Sequence, residues 1–173
     1  MTSNVDVSAE VEIRSAVDTD ADALVRIYNH YIMHTVITFE EQPLTAADMA
    51  ARVHRVQQLE ALPWLTAAHG DTVIGYAYAT RWRERSAYRL STEITVYLEP
   101  GCEHRGTGTR LYRHLLAGLR ECGMHAVVGG IALPNAASVA LHEKFGFEQV
   151  AQLREIGFKF GRWVDVGYWQ KIL

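Results

Sequence analysis

The chain of 173 residues is 49% hydrophobic and 21% charged, which suits one globular domain; a chain of this length buries about 70% of its unfolded surface. A formal net charge of -3 gives no electrostatic basis for nucleic acid or an anionic membrane as partner. Two cysteines, Cys102 and Cys122, cannot build a disulfide framework, so a reducing cytoplasm is the expected compartment, and eight scattered histidines without H-E-x-x-H or C-x-x-C spacing give no reason to expect a metal.

Met1 to Glu10 is polar, lacks the apolar core of a signal peptide, and is expected to be a flexible segment ahead of a single domain over residues 11–173. No apolar run reaches membrane-spanning length. Glu12 to Ala16 reads as a strand, and Asp18, Thr19 or Asp20 then caps a helix to about His34, with Leu24, Ile27, Tyr28 and Tyr31 on one face. A mixed segment from Thr35 to Thr45 has Phe39 at its centre. Thr45 caps a second helix, with Asp48 at the third helical position and Met49, Val53 and Val56 as its apolar stripe. Pro63 to His69 and Thr72 to Arg81 are strand-like and joined by Gly70-Asp71, a pair suited to a tight hairpin turn.

The stretch from Ser91 to Cys122 changes period in its middle. Ile94, Val96 and Leu98 alternate with Glu93, Thr95 and Tyr97 as in a strand, Pro100, Gly101, Gly106 and Gly108 break the run, and Leu111, Leu115, Leu116 and Leu119 then recur at helical spacing until Gly123. Ala126 to Ala132 is a continuous apolar run, as expected of a strand buried on both faces, and the crossover that joins it to the Ser91 strand makes the two parallel. A helix from about Ala136 to Lys144 and two closing strands, Glu148 to Phe158 and Trp163 to Ile172, complete the order β-α-α-β-β-β-α-β-α-β-β. The class is α/β (α+β), with about seven strands and four helices.

A strand followed by a glycine turn and a helix aims backbone N–H groups and the positive end of a helix dipole at one point, a place for an anion and most naturally a phosphate. The glycines match neither G-x-x-x-x-G-K-[ST] nor the full G-x-G-x-x-G, and an ordinary strand-to-helix turn is the alternative. The wider stretch VYLEPGCEHRGTGTRLYRHLL resembles the pyrophosphate-binding motif of the GNAT superfamily of N-acetyltransferases, [Q/R]-x-x-G-x-[G/A], through Gly106 and Gly108. Glu103 stands where the family has Gln or Arg, which sets a carboxylate beside the pyrophosphate and leaves Arg105 to compensate. The element order is also that of the superfamily, so the resemblance covers essentially the whole chain. Within it the chain looks most like the phosphinothricin N-acetyltransferase group, through TEITVYL, LPNAASVALHEKFGF, the segment from Tyr78 to Tyr88 and GFKFGRWVDVGYWQ.

The resemblance implies acetyl-coenzyme A as cosubstrate, a mixed sheet whose central strands splay at the coenzyme, and a small amine as acceptor. Amines attack a thioester as free bases, yet an ordinary ammonium has a pKa of about 10, so a placed carboxylate or the water it holds must take a proton. Glu93, on the strand just before the glycine turn, matches the group's proposed general base; the bland alternative is a solvated strand-edge Glu. His142 stands where many members have a Tyr that protonates the leaving thiolate, and its imidazole suits acid, base or packing against Phe145. Coenzyme contacts are implied for Val96, Tyr97, Leu98, His104, Arg105, Gly106, Thr107, Gly108, Thr109, Asn135 and Ser138, with Asn135 also suited to capping its helix. On the acceptor side the resemblance implies Phe39, Arg83, Arg85, Tyr88 and Glu93. The arginines from Arg81 to Arg89 suit a carboxylate or phosphinate and equally suit a solvated surface. A homodimer is expected, with Lys159 and Trp163 reaching across it; their strands also need aromatic packing. The acceptor expected is phosphinothricin, methionine sulfoximine or methionine sulfone. A polyamine, a peptide N-terminus, or a non-catalytic acyl-coenzyme A sensor are the alternatives. A Rossmann-type domain fits less well, because three strands precede the glycine turn.

Overall fold

A computed structural model describes residues 11–103 and 105–173, so the expectations for Met1 to Glu10 and for His104 lie outside the described residues. The elements are β1 (Glu12–Ser15), α1 (Ala21–His34), α2 (Ala46–His54), β2 (Trp64–His69), β3 (Thr72–Arg81), β4 (Ser91–Leu98), α3 (Thr107–Glu121), β5 (Ala126–Leu133), α4 (Ala136–Lys144), β6 (Glu148–Lys159) and β7 (Arg162–Ile172). They build one seven-stranded mixed sheet in the order β1-β2-β3-β4-β5-β7-β6. Every pairing is antiparallel except β4 with β5, where α3 makes the crossover.

Helices cover both faces of the sheet. On one face Tyr28 and Tyr31 of α1 meet the ring of Tyr97 on β4 at 5.1 and 5.0 Å. On the other, α3 buries Leu111, Leu115 and Leu119 completely; full burial of such a side chain stabilises by roughly 1.5–3 kcal/mol. The spacing of these residues is what makes α3 a helix with one apolar face. α4 lies beside α3, with Leu141 3.5 Å from where a Cβ on Gly108 would stand.

Two local expectations change. Asp18–Asp20 form a 3₁₀ turn, and the Asp20 carboxylate accepts from the Arg14 guanidinium at 2.7 and 2.8 Å and from Val17 N–H at 2.9 Å, so it braces β1 and does not cap α1 with its side chain. α2 begins as expected, Thr45 Oγ1 accepting from Asp48 N–H at 3.1 Å, but runs on through a π-helical turn, Arg55–Leu59, in which Val56 is buried. The segment between the two helices is pinned along its length. Asn29 exchanges two hydrogen bonds of 2.9 Å with the Leu44 backbone, and Tyr28 Oη bonds Thr38 Oγ1 and Glu40 Oε1, both at 2.9 Å.

Candidate active site

The register of β4 against β5 places the site. Ser91, Thr92 and Glu93 pair with Ala126, Val127 and Val128, and there the pairing stops, although β4 continues along β3 to Leu98. From Ile94 onward the β5 side of β4 has no strand partner, so the two strands splay and leave backbone donors and acceptors open.

Three adjoining cavities line this opening. A groove of about 420 Å³ runs over the start of α3 between Val96, Leu98, Gly106–Thr109, Asn135, Ser138 and Lys144. A small cavity of about 50 Å³ sits in the splay itself, among Thr95, Val96, Tyr97, Tyr112 and His142. A cavity of about 450 Å³ beyond it contains Glu93, Gly130, Ile156, Gly157 and Tyr168 under Ile37 and Phe39. Ile37 borders all three.

The groove is shaped for an anion. Gly106 has φ +79°, a left-handed conformation that glycine adopts without strain, and it turns the chain into α3 with the first N–H groups of the helix facing the groove. Thr107, 2% exposed, has a buried hydroxyl without a partner among the described residues. Lys144 brings an ammonium to Thr109 Oγ1 at 3.3 Å. Glu103 also lines the groove, with one carboxylate oxygen accepting from Gly101 N–H at 2.7 Å within its own loop. Arg105 lies in that loop but outside the groove's lining. Tyr31 donates to the Leu98 carbonyl at 2.8 Å and closes the outer end of the open strand. Asn135 lines the groove and also caps α4, accepting from Ser138 N–H at 3.1 Å. The Tyr97 ring packs away from the splay, leaving its backbone there.

Glu93 and His142 stand on opposite faces of the sheet. Gly129 and Gly130 of β5 make this possible: a Cβ on Gly130 would meet Glu93 Oε1 at 2.9 Å, and one on Gly129 would meet His142 Nε2 at 2.1 Å. Burial pushes the Glu93 carboxyl above the usual carboxylate range, and the Arg83 guanidinium pulls the other way. Arg83 also lies on the Trp82 ring, 4.6 Å from its centroid, and Trp82 meets Tyr168 edge-on at 5.6 Å. Arg83, Arg85 and Tyr88 do not line the cavity around Glu93; Arg85 stands at the N-cap of the short turn at Ser86–Tyr88, which contains Tyr88. Burial pushes the His142 imidazole below its ordinary value, against the pull of the Ser138 carbonyl.

The roof of the large cavity joins distant parts of the chain. A Cβ on Gly157 would stand 2.2 Å from the Phe39 ring, so that ring rests directly on β6. Lys159, 1% exposed, donates to the Thr38 carbonyl at 2.7 Å. This corrects the expectation that Lys159 reaches across a dimer: its ammonium is committed within its own chain. Trp163 is 61% exposed and packs on Phe158 at 4.8 Å. Ile37, Gly157, Tyr168, Lys144 and Tyr112 were not among the expected site residues. A signal did exist for β5, where two consecutive glycines inside a strand mark a close approach by other groups.

A strand splayed beside a glycine turn, with a half-buried carboxyl next to the gap, suits acyl transfer, and residues 13–167 match the acetyltransferase (GNAT) domain. The chain belongs to this family. It is 39% identical over 168 residues to the phosphinothricin N-acetyltransferase of Streptomyces coelicolor, covering 96% of this chain and 98% of that protein. It is 35% identical over 158 residues to the L-methionine sulfoximine/L-methionine sulfone acetyltransferase of Salmonella typhimurium, covering 91% and 92%. The crystal structure of a phosphinothricin acetyltransferase from Sinorhizobium meliloti in complex with acetyl-coenzyme A superposes with a TM-score of 0.90 at 34% identity, covering 94% of this chain and 88% of that one. Among the described residues no helix is long and apolar enough to cross a membrane, and no group of three or more His, Cys, Asp or Glu is placed to hold a metal.

Proposed function

We propose that this chain is an N-acetyltransferase that moves an acetyl group from acetyl-coenzyme A to the α-amino group of a small amino-acid-like acceptor such as phosphinothricin, methionine sulfoximine or methionine sulfone. The observation that carries it is the end of β4–β5 pairing at Glu93, which joins an anion-binding groove to a cavity holding a carboxyl. The names borne by the relatives support the acceptor class.

The orphaned Thr107 hydroxyl, the α3 N-terminus and the Lys144 ammonium fit the pyrophosphate, and the open backbone of Ile94–Leu98 with Asn135 fits the pantetheine amides. Bound there, acetyl-coenzyme A supplies an acyl group activated as a thioester. Glu93 accepts the proton of the acceptor ammonium, directly or through one water, and its raised affinity for a proton suits that task near neutral pH. His142 assists from the other face. Arg83 attracts the acceptor's carboxylate toward the Trp82–Tyr168 wall, and Arg85 and Tyr88 contribute from the loop that precedes β4.

Residues 11–173 act as one catalytic domain, in the cytoplasm, as a homodimer. The β6–β7 hairpin supports the dimer, since Phe158, Phe160 and Trp163 at its tip are 54%, 59% and 61% exposed and a partner would cover them. The test is thiol release from acetyl-coenzyme A with phosphinothricin, methionine sulfoximine, methionine sulfone, glutamate, a polyamine and an N-terminal peptide. Turnover with one of the first three supports the proposal. Turnover with the polyamine or peptide alone moves the acceptor class, and coenzyme binding without any turnover makes the chain a sensor.

A further inference from the structure

The Tyr112 hydroxyl is fully buried, lies 3.1 Å from His142 Nε2, and borders the small cavity in the splay. On the other side of the ring, His142 Nδ1 is 2.8 Å from the Ser138 carbonyl oxygen. A carbonyl can only accept, so Nδ1 carries a proton in every charge state of the ring. Burial favours the neutral ring, in which Nε2 then holds the lone pair and Tyr112 must be the donor. The groups that face the imidazole are few: the Tyr112 hydroxyl from α3, the bare backbone of Gly129 from β5, and the Phe147 ring edge-on at 5.2 Å. Of these only Tyr112 is titratable. Phe145 holds the Tyr112 ring from behind at 5.9 Å.

We propose that Tyr112 is a positioning residue for acetyl transfer: its hydroxyl and the Ser138 carbonyl together fix His142 in the Nδ1–H tautomer, with Nε2 as the nitrogen held toward the splay. This rests on the reading of the site as an acetyltransferase. It assigns a function to a side chain that by its place in the apolar stripe of α3 would count only as core. It also narrows the choice for His142, because Nδ1 is committed to the backbone and takes no part in proton movement. A second hydrogen bond to a catalytic imidazole sets its tautomer and aim, and losing it costs rate more than binding.

Tyr112→Phe keeps the buried ring and removes only the hydroxyl. In full-length protein labelled with ¹⁵N-histidine, wild-type His142 is expected to show a protonated Nδ1 and a hydrogen-bonded, unprotonated Nε2 at neutral pH. In Tyr112→Phe the Nε2 resonance should move to that of a free lone pair, with kcat reduced about tenfold and KM for acetyl-coenzyme A unchanged. The double variant Tyr112→Phe/His142→Gln should be no slower than His142→Gln alone, since both changes cut one chain. A proton on Nε2 in the wild type overturns the proposal, as does an unshifted Nε2 resonance or an unchanged kcat in Tyr112→Phe. If wild-type protein acetylates no acceptor, the functional reading itself has failed, and the resonances report that separately.

Discussion

The coenzyme groove and the acceptor cavity meet at the splay but are made of different material. The groove is mostly backbone: a left-handed glycine, the start of α3 and a strand edge with no partner. The acceptor cavity is mostly side chains, brought from the α1–α2 segment, β4, β5, β6 and β7. A backbone site accepts sequence drift around it and keeps its ligand. A side-chain site changes its ligand when any one contributor changes, so a single fold can hold one cosubstrate and many acceptors.

The sharpest way to break that comparison is Gly108→Val. The nearest atoms to an added Cβ are at 3.5 and 3.9 Å, ordinary contact, so the position has room for the Cβ itself, and a thermal melt of the free variant checks that the γ-methyls leave the fold intact. Methyl groups that crowd the groove should weaken acetyl-coenzyme A binding by about a hundredfold in calorimetry; unchanged affinity would remove the groove from coenzyme binding. Gly157→Ala probes the other side. Its methyl must displace the Phe39 ring, so the acceptor KM should rise about tenfold while coenzyme affinity stays the same. Arg83→Gln sharpens the electrostatics. Its cation opposes the effect of burial on Glu93, so its loss should move the acid limb of kcat/KM to higher pH; a shift to lower pH would contradict the assignment. Thr45→Ala gives the smallest effect. Losing the cap at the far end of the pinned segment should cost about 1 kcal/mol in denaturant melts and leave coenzyme affinity unchanged.

The same contrast explains what the sequence disclosed. The groove was legible because its parts are local: Gly106, Gly108, Asn135 and the alternation around Glu93 lie within short stretches whose backbone needs are set by neighbouring residues. The order of elements along the chain was legible for a similar reason, since each element carries its own period, but the insertion of β7 between β5 and β6 was not. Of the acceptor cavity only Phe39 and Glu93 were named, through the resemblance; the rest was hidden because Phe39 meets Gly157 and Thr38 meets Lys159 across more than a hundred residues of chain, and no local pattern encodes such a contact. Tyr112 was hidden in another way. Beside Leu111, Leu115 and Leu116 it completes an apolar stripe, and only the fold shows its hydroxyl directed at His142. The Asp20 carboxylate misled because an acidic residue before a helix suits a cap, whereas here Arg14 is close enough to claim it.

The most direct test of the account is the pH dependence of kcat/KM for wild type and Glu93→Gln with the best acceptor of the panel. The wild type should show an acid limb above the usual carboxylate range, set by the half-buried Glu93, and Glu93→Gln should lose that limb and about a hundredfold or more of the rate at neutral pH, with acetyl-coenzyme A still bound. A variant that keeps both the rate and the limb would show that the acceptor's proton leaves by another route.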